Sequence, residues 1–136
     1  MTSAAVFGLA TMIAWGFWIV FGNVASNTID PKLAAFLTYV TATAVTGGYL
    51  VVSDVSFAVT NRGLLFAAAA GVSAAIGVVA TFVGVTVGST SVVATIGGMY
   101  FLTAAVISIV ALGEPLTANK VAGVGLALGA IVLLNQ

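Results

Sequence analysis

The sequence predicts an all-α integral membrane protein, a bundle of five transmembrane helices, and three observations carry that prediction. Only six of the 136 side chains bear a formal charge, three basic and three acidic, where an ordinary soluble domain has roughly a quarter of its residues charged. A fold in water would have almost nothing to cover its surface with, so lipid must be the main solvent. The mean hydropathy of +1.29 points the same way. Third, the uncharged stretches match, or double, the about 20 residues that a helix needs to cross a bilayer.

The first helix is predicted within residues 3–26. It has no charge and no basic leading segment, so it reads as a retained span, with a signal cut near Ala25 as the alternative. It ends where Asn27, Asp30 and Pro31 cluster, because proline and polar turn formers disfavour continuation. The second helix is expected over 33–52, followed by a polar connection over 53–62 that holds Asp54, Asn61 and Arg62. Residues 63–113 carry no charge and are about twice too long for one span, so they must fold as a hairpin. The one good turn there is Gly88-Ser89-Thr90-Ser91, which sets the third helix at 63–87 and the fourth at 92–112.

Glu114 and Pro115 stop the fourth helix. The uncharged stretch 121–134 is short for a span, so the fifth helix is expected to start at Thr117 as N-cap, with Lys120 snorkelling to the interface from the first turn. That gives 117–134, in one domain covering 1–136. Five helices put the two ends on opposite sides. Arg62, Lys120 and the N-terminal amine share one side and Lys32 the other, which places the N-terminus in the cytoplasm of a cell-membrane protein. The bias is about one basic residue, small enough for insertion in both senses to be the alternative.

Composition also removes whole classes of function. Histidine and cysteine are absent, so zinc, haem, iron-sulfur and thiol chemistry lose their usual ligands and nucleophiles, and no metal, cofactor or catalytic residue is expected. A net charge of zero leaves no basic surface for nucleic acid or for anionic lipid as the main partner. Asp30, Asp54 and Glu114 all fall in connections and no nucleophile-base pair is visible, which argues against an integral enzyme.

Two patterns remain. Small residues recur at four-residue spacing, on the third helix as Gly63, Ala67, Gly71 and Ala75, then Ala80, Gly84 and Gly88, and on the fifth as Gly125 and Gly129 beside Gly123 and Ala127. Lipid gives helices no hydrophobic reason to associate, so close backbone packing must supply the attraction. Packing within the bundle is the simpler reading, and a dimer seam at Gly125 and Gly129 is the other. Polar stripes are the second pattern. The first helix carries Met12, Trp15, Gly16, Ile19 and Asn23 on one face, and the second carries Lys32, Tyr39, Thr43 and Thr46. Ser73 and Thr81 lie on the third helix, Thr95, Tyr100 and Thr103 on the fourth.

Each hydroxyl alone can be satisfied by a carbonyl one turn back. Together they suggest a mildly polar, substrate-lined cavity, with Trp15, Asn23, Tyr39, Thr43, Thr81, Thr95, Tyr100 and Thr103 as candidate walls. Trp15 and Trp18 lie roughly 18 to 22 Å along the first helix by helical rise, too deep for anchors at its start, and Trp18 is expected to face lipid. Asn23 is nearer the far end, where its amide would be hydrated or would cap the chain's exit.

The run Ala111-Leu112-Gly113-Glu114-Pro115-Leu116-Thr117, and the glycine-punctuated Lys120-Val121-Ala122-Gly123-Val124-Gly125-Leu126-Ala127-Leu128-Gly129 after it, resembles the end of an EamA-type repeat of the drug/metabolite transporter superfamily. Trp15-Gly16 and Thr90-Ser91-Val92-Val93-Ala94 look like that family too. Five helices make one repeat, so the chain is similar to the single-repeat bacterial and archaeal transporters. The resemblance implies a secondary transporter of small metabolites or related solutes, working by alternating access as a homodimer. An antiparallel pair would use the weak charge bias, while a parallel dimer or pairing with a different half also satisfies the sequence.

Two departures matter. Phe101 stands where many relatives have a proline that breaks the fourth helix. No Asp or Glu lies within any predicted span, so the carboxylate-driven exchange of the related small multidrug exporters has no residue to run on. Glu114, Pro115, Thr117 and Lys120 read as a structural turn, in which Glu114 accepts backbone amides of the next helix or pairs with Lys120. A non-transporting membrane scaffold or accessory subunit that packs through the glycine faces is the competing function.

Overall fold

The structure, a computed structural model, describes residues 3–113, 115 and 117–134. Every regular element among them is an α-helix: α1 Ser3–Ser26, α2 Pro31–Val52, α3 Asn61–Val87, α4 Thr90–Gly98, α5 Tyr100–Leu112 and α6 Ala118–Leu134. They form two compact units, α1 to α3 in Met1–Val87 and α4 to α6 in Gly88–Gln136. Among the described residues four stretches are long and apolar enough to cross a membrane, namely Ala5–Ser26, Pro31–Val52, Asn61–Val87 and Thr90–Ala111, the last running through α4 and α5. The chain is therefore a multi-pass membrane protein. α6 has 17 residues, about 25 Å of rise, a little under the about 30 Å of a hydrocarbon core.

Local chemistry explains where the helices start and stop. Asp30 is the N-cap of α2: its Oδ1 accepts the backbone N–H groups of Lys32 at 2.8 Å and Leu33 at 3.3 Å. α2 thus begins at Pro31, two residues before the expected start. A proline at the first helical position gives up only an amide that would be unpaired anyway, so here it opens a helix. α3 also starts two residues early, at Asn61, because the Thr60 hydroxyl accepts the amide of Gly63 at 3.1 Å. α5 ends at Gly113, whose φ of 68° is left-handed backbone that suits a residue without Cβ. Thr117 caps α6 by accepting the Lys120 amide at 3.3 Å, and Lys120 Nζ donates to the Pro115 carbonyl at 3.2 Å. Glu114 lies outside the described residues.

The expected continuous fourth helix is interrupted. At Met99 (φ −78°, ψ 11°) the ladder tightens to three-residue bonds, with the Met99 amide donating to Ile96 O at 3.1 Å and the Leu102 amide to Met99 O at 2.8 Å. No proline is involved. Gly97 and Gly98 precede the break, and successive glycines weaken a helix through backbone entropy and are a recurrent cause of kinks.

In the first unit α1, α2 and α3 pack pairwise. The core is small: Ala34 and Ala35 of α2 with Val78 and Phe82 of α3, flanked by Trp18, Ala25 and Tyr39. Phe82 is 1% exposed, and it fits because Gly22 of α1 has no side chain. A Cβ built there would stand 2.6 Å from Phe82 Cε1. Sequence periodicity assigned close packing to the small residues of the third helix. In the structure Gly63, Ala67, Gly71, Ala75 and Ala80 of α3 are exposed, while Gly22 of α1 and Ala34 and Ala35 of α2 are buried and α3 supplies the bulk.

Candidate functional site

The core of the first unit occupies one end only. α1 contributes its last turns, α2 its first and α3 its last, so the buried residues among those described cluster beside the connection over 27–30. The same faces continue toward the other end, where the described residues of this unit leave them uncovered. On α1, Trp15 shares a face with Gly22 and Ser26, at spacings of seven and four, yet Gly22 and Ser26 are buried while Trp15 is 52% exposed. On α3, Gly71 and Ala75 align with Val78 and Phe82 and are exposed. The unit is closed at one end and uncovered at the other.

Aromatic residues mark the boundary. Trp15 and Trp18 meet edge to face with ring centroids 5.1 Å apart, and Trp18 meets Phe82 at 5.3 Å. Trp18 is half-buried against the core, which corrects the expectation that it faces lipid. Periodicity could not decide between the two tryptophans because burial depends on how far α3 reaches. Tyr39 packs on the same core from α2, and Thr43 lies one turn further along with Phe36, Tyr39 and Val40 in a shallow groove. By helical rise Trp18 and Tyr39 stand roughly 12 Å from the closed end, and Trp15 and Thr43 roughly 16 to 18 Å. The boundary is thus near the middle of an about 30 Å hydrocarbon core.

The other candidates separate. Asn23 acts on the helix end: Asn27 Nδ2 donates to Asn23 Oδ1 at 2.6 Å and to its carbonyl at 2.8 Å. The Thr81 hydroxyl donates to Gly77 O at 2.9 Å, and Thr95 to Ser91 O at 2.8 Å, so both are satisfied within their own helices. Thr95, Tyr100 and Thr103 belong to the second unit and flank the Met99 break, with Tyr100 and Thr103 exposed. Gly125 and Gly129 on α6 have nothing within 4 Å of where a Cβ would stand.

Sequence reasoning missed Gly22, Phe82, Met99 and Ser26. Ser26 is 5% exposed, and its Oγ is buried without a hydrogen-bond partner among the described residues. A serine in the last turn of a helix is unremarkable by composition, so no signal marked it.

Comparison with known proteins returns one finding. The family model described as the EamA-like transporter family matches residues 2–136. No curated protein and no solved structure matches the chain.

Proposed function

The chain belongs to the EamA-like transporter family, and from that premise we propose that it is a secondary transporter of small metabolites or related solutes, built as a dimer of two five-helix halves that alternate access to a shared site. The observation that carries this reading is the half-closed first unit, whose packed end gives way to uncovered faces at mid-depth, beside Trp15, Trp18 and Tyr39. Transporters commonly hold substrate near the midplane between repeated halves. The matched residues hold one repeat, and in the proposed dimer a second copy supplies the other wall. Copies inserted in opposite senses would reproduce an inverted repeat, which the small charge bias permits. In this reading α6 is the fifth span, the N-terminus is cytoplasmic and the protein resides in the cell membrane.

Trp15 and Tyr39 would offer aromatic faces and a hydroxyl to the solute, with Thr43 next to them. The break at Met99 would let α4 and α5 change their relative angle without unfolding either, since a few residues at an element's end can absorb such motion. Reconstitution into vesicles with a panel of metabolites tests the proposal. Uptake or efflux above that of empty vesicles, lost in Trp15→Ala, is the expected result. The competing scaffold reading draws on the unmet glycines of α6. A purified protein whose thermal stability responds to no solute, and that transports none, would favour it.

A further inference from the structure

The connection between α2 and α3 is more apolar than a water-facing loop should be. Ser53 leaves α2 in extended conformation (φ −100°, ψ 142°), and residues 54–60 form neither helix nor turn. Along them Val55, Phe57 and Val59 alternate with Asp54, Ser56, Ala58 and Thr60. An extended chain would place those three on one edge. Among the described residues none covers them: all three are exposed, Phe57 by 78%.

The surroundings say what does. α2 and α3 are both spans by length and composition, so their connection must emerge at a membrane surface. α3 has 27 residues, about 40 Å of rise, so its ends project some 10 Å beyond the hydrocarbon core in total. At its first turn the Arg62 guanidinium lies over the Phe66 ring, 5.9 Å from the centroid. A cation one turn above an aromatic ring suits the headgroup level, where arginine reaches phosphate and the ring sits below it. Asp54 and Arg62 thus bracket the apolar run with charges at that level.

We propose that residues 54–60 are an interfacial anchor, lying along the bilayer surface with Val55, Phe57 and Val59 inserted at the boundary of headgroups and acyl chains and Ser56 and Ala58 turned to water. Amphipathic segments bind lipid in this way through apolar burial at the headgroup boundary. The anchor fixes the depth of the uncovered ends of α2 and α3 while leaving them free to separate in the membrane plane. It does not depend on transport, so its failure would leave the transporter reading standing.

The chain has no cysteine, so single cysteines can be placed at each of positions 54–60 in the full protein and spin-labelled in phosphatidylcholine vesicles. Accessibility is read against oxygen, which partitions into lipid, and a water-soluble nickel chelate. The expected profile has period two, with the oxygen-to-nickel ratio severalfold higher in V55C, F57C and V59C than in S56C and A58C. Should F57C fail to fold, V55C and V59C still report the same edge. Uniform access to nickel, uniform access to oxygen, or shielding of the apolar edge from both reagents by another protein surface would each overturn the proposal.

Discussion

Gly22 of α1 and the pair Gly125 and Gly129 of α6 look alike in sequence, each a small residue in an uncharged helix, yet they meet opposite surroundings. A methyl group at Gly22 would stand 2.6 Å from Phe82 Cε1, whereas one at Gly125 or Gly129 would meet nothing within 4 Å. The contrast extends to their units. The first holds a core around Phe82, while no described side chain of residues 88–134 is buried. In lipid a small residue favours association only where a neighbour fills the space it leaves. Helix α1 has that neighbour in Phe82, whereas Gly125 and Gly129 of α6 have none at Cβ distance among the described residues.

The largest effect that could break this comparison is at the neighbour itself. Phe82→Ala empties the space under Gly22 and removes the ring that Trp18 meets, which typically costs about 3 to 5 kcal/mol. Equilibrium unfolding in micelles should show a loss in that range. An unchanged midpoint would mean that the core of the first unit does not hold it together.

Next is Gly22→Ala. The added methyl needs the Phe82 ring to move by several tenths of an ångström, and overpacking of this kind costs about 1 to 3 kcal/mol. Gly71→Ala on α3 is the control: it meets nothing within 4 Å, and alanine is the better helix former by about 1 kcal/mol. Gly22→Ala gains the same propensity, so its net loss is about 0 to 2 kcal/mol, and it should be the less stable of the two variants. Equal effects would show that helix propensity, not contact, governs both sites.

That difference could not be read from the sequence. Charges and turn formers located the spans because lipid penalises them so heavily that they must lie at the ends, and Thr117 signalled the start of α6 by its own side chain. What failed were features that depend on a neighbour or on two competing roles. Pro31 reads as the end of one helix, yet with Asp30 before it as N-cap it opens the next. Gly97 and Gly98 read as ordinary helix residues, and the break at Met99 carries no proline to announce it. For the site, a polar stripe told which face Trp15 and Tyr39 occupy but not that Thr81 and Thr95 spend their hydroxyls on their own helices. Depth of packing, which separates Trp15 from Trp18, is set by α3 and is invisible in α1.

A smaller effect on the fold, with a larger one on function, is expected at the boundary of the packed end. Trp15→Ala loses an edge-to-face pair worth about 1 kcal/mol, so the protein should remain folded while solute transport in vesicles falls. Tyr39→Phe removes one hydroxyl, about 1 kcal/mol if a solute polar group is left unpaired, and should lower transport by roughly fivefold, since RT is about 0.6 kcal/mol. Wild-type rates for both variants would leave these residues with a packing role only.

The smallest expected effect on the protomer is the most informative about assembly. Gly125→Leu and Gly129→Leu add bulk at positions where, among the described residues, a Cβ would meet nothing within 4 Å, so the unfolding midpoint of the monomer should stay near that of the wild type. If a second copy uses the α6 face, the same variants should shift a crosslinked dimer to monomer and abolish transport together. Destabilised monomers would instead put the neighbour of α6 within its own bundle. A dimer that persists through both substitutions would move the seam away from α6, and the uncovered faces of Trp15 on α1 and of Gly71 and Ala75 on α3 would then be the next place to add bulk.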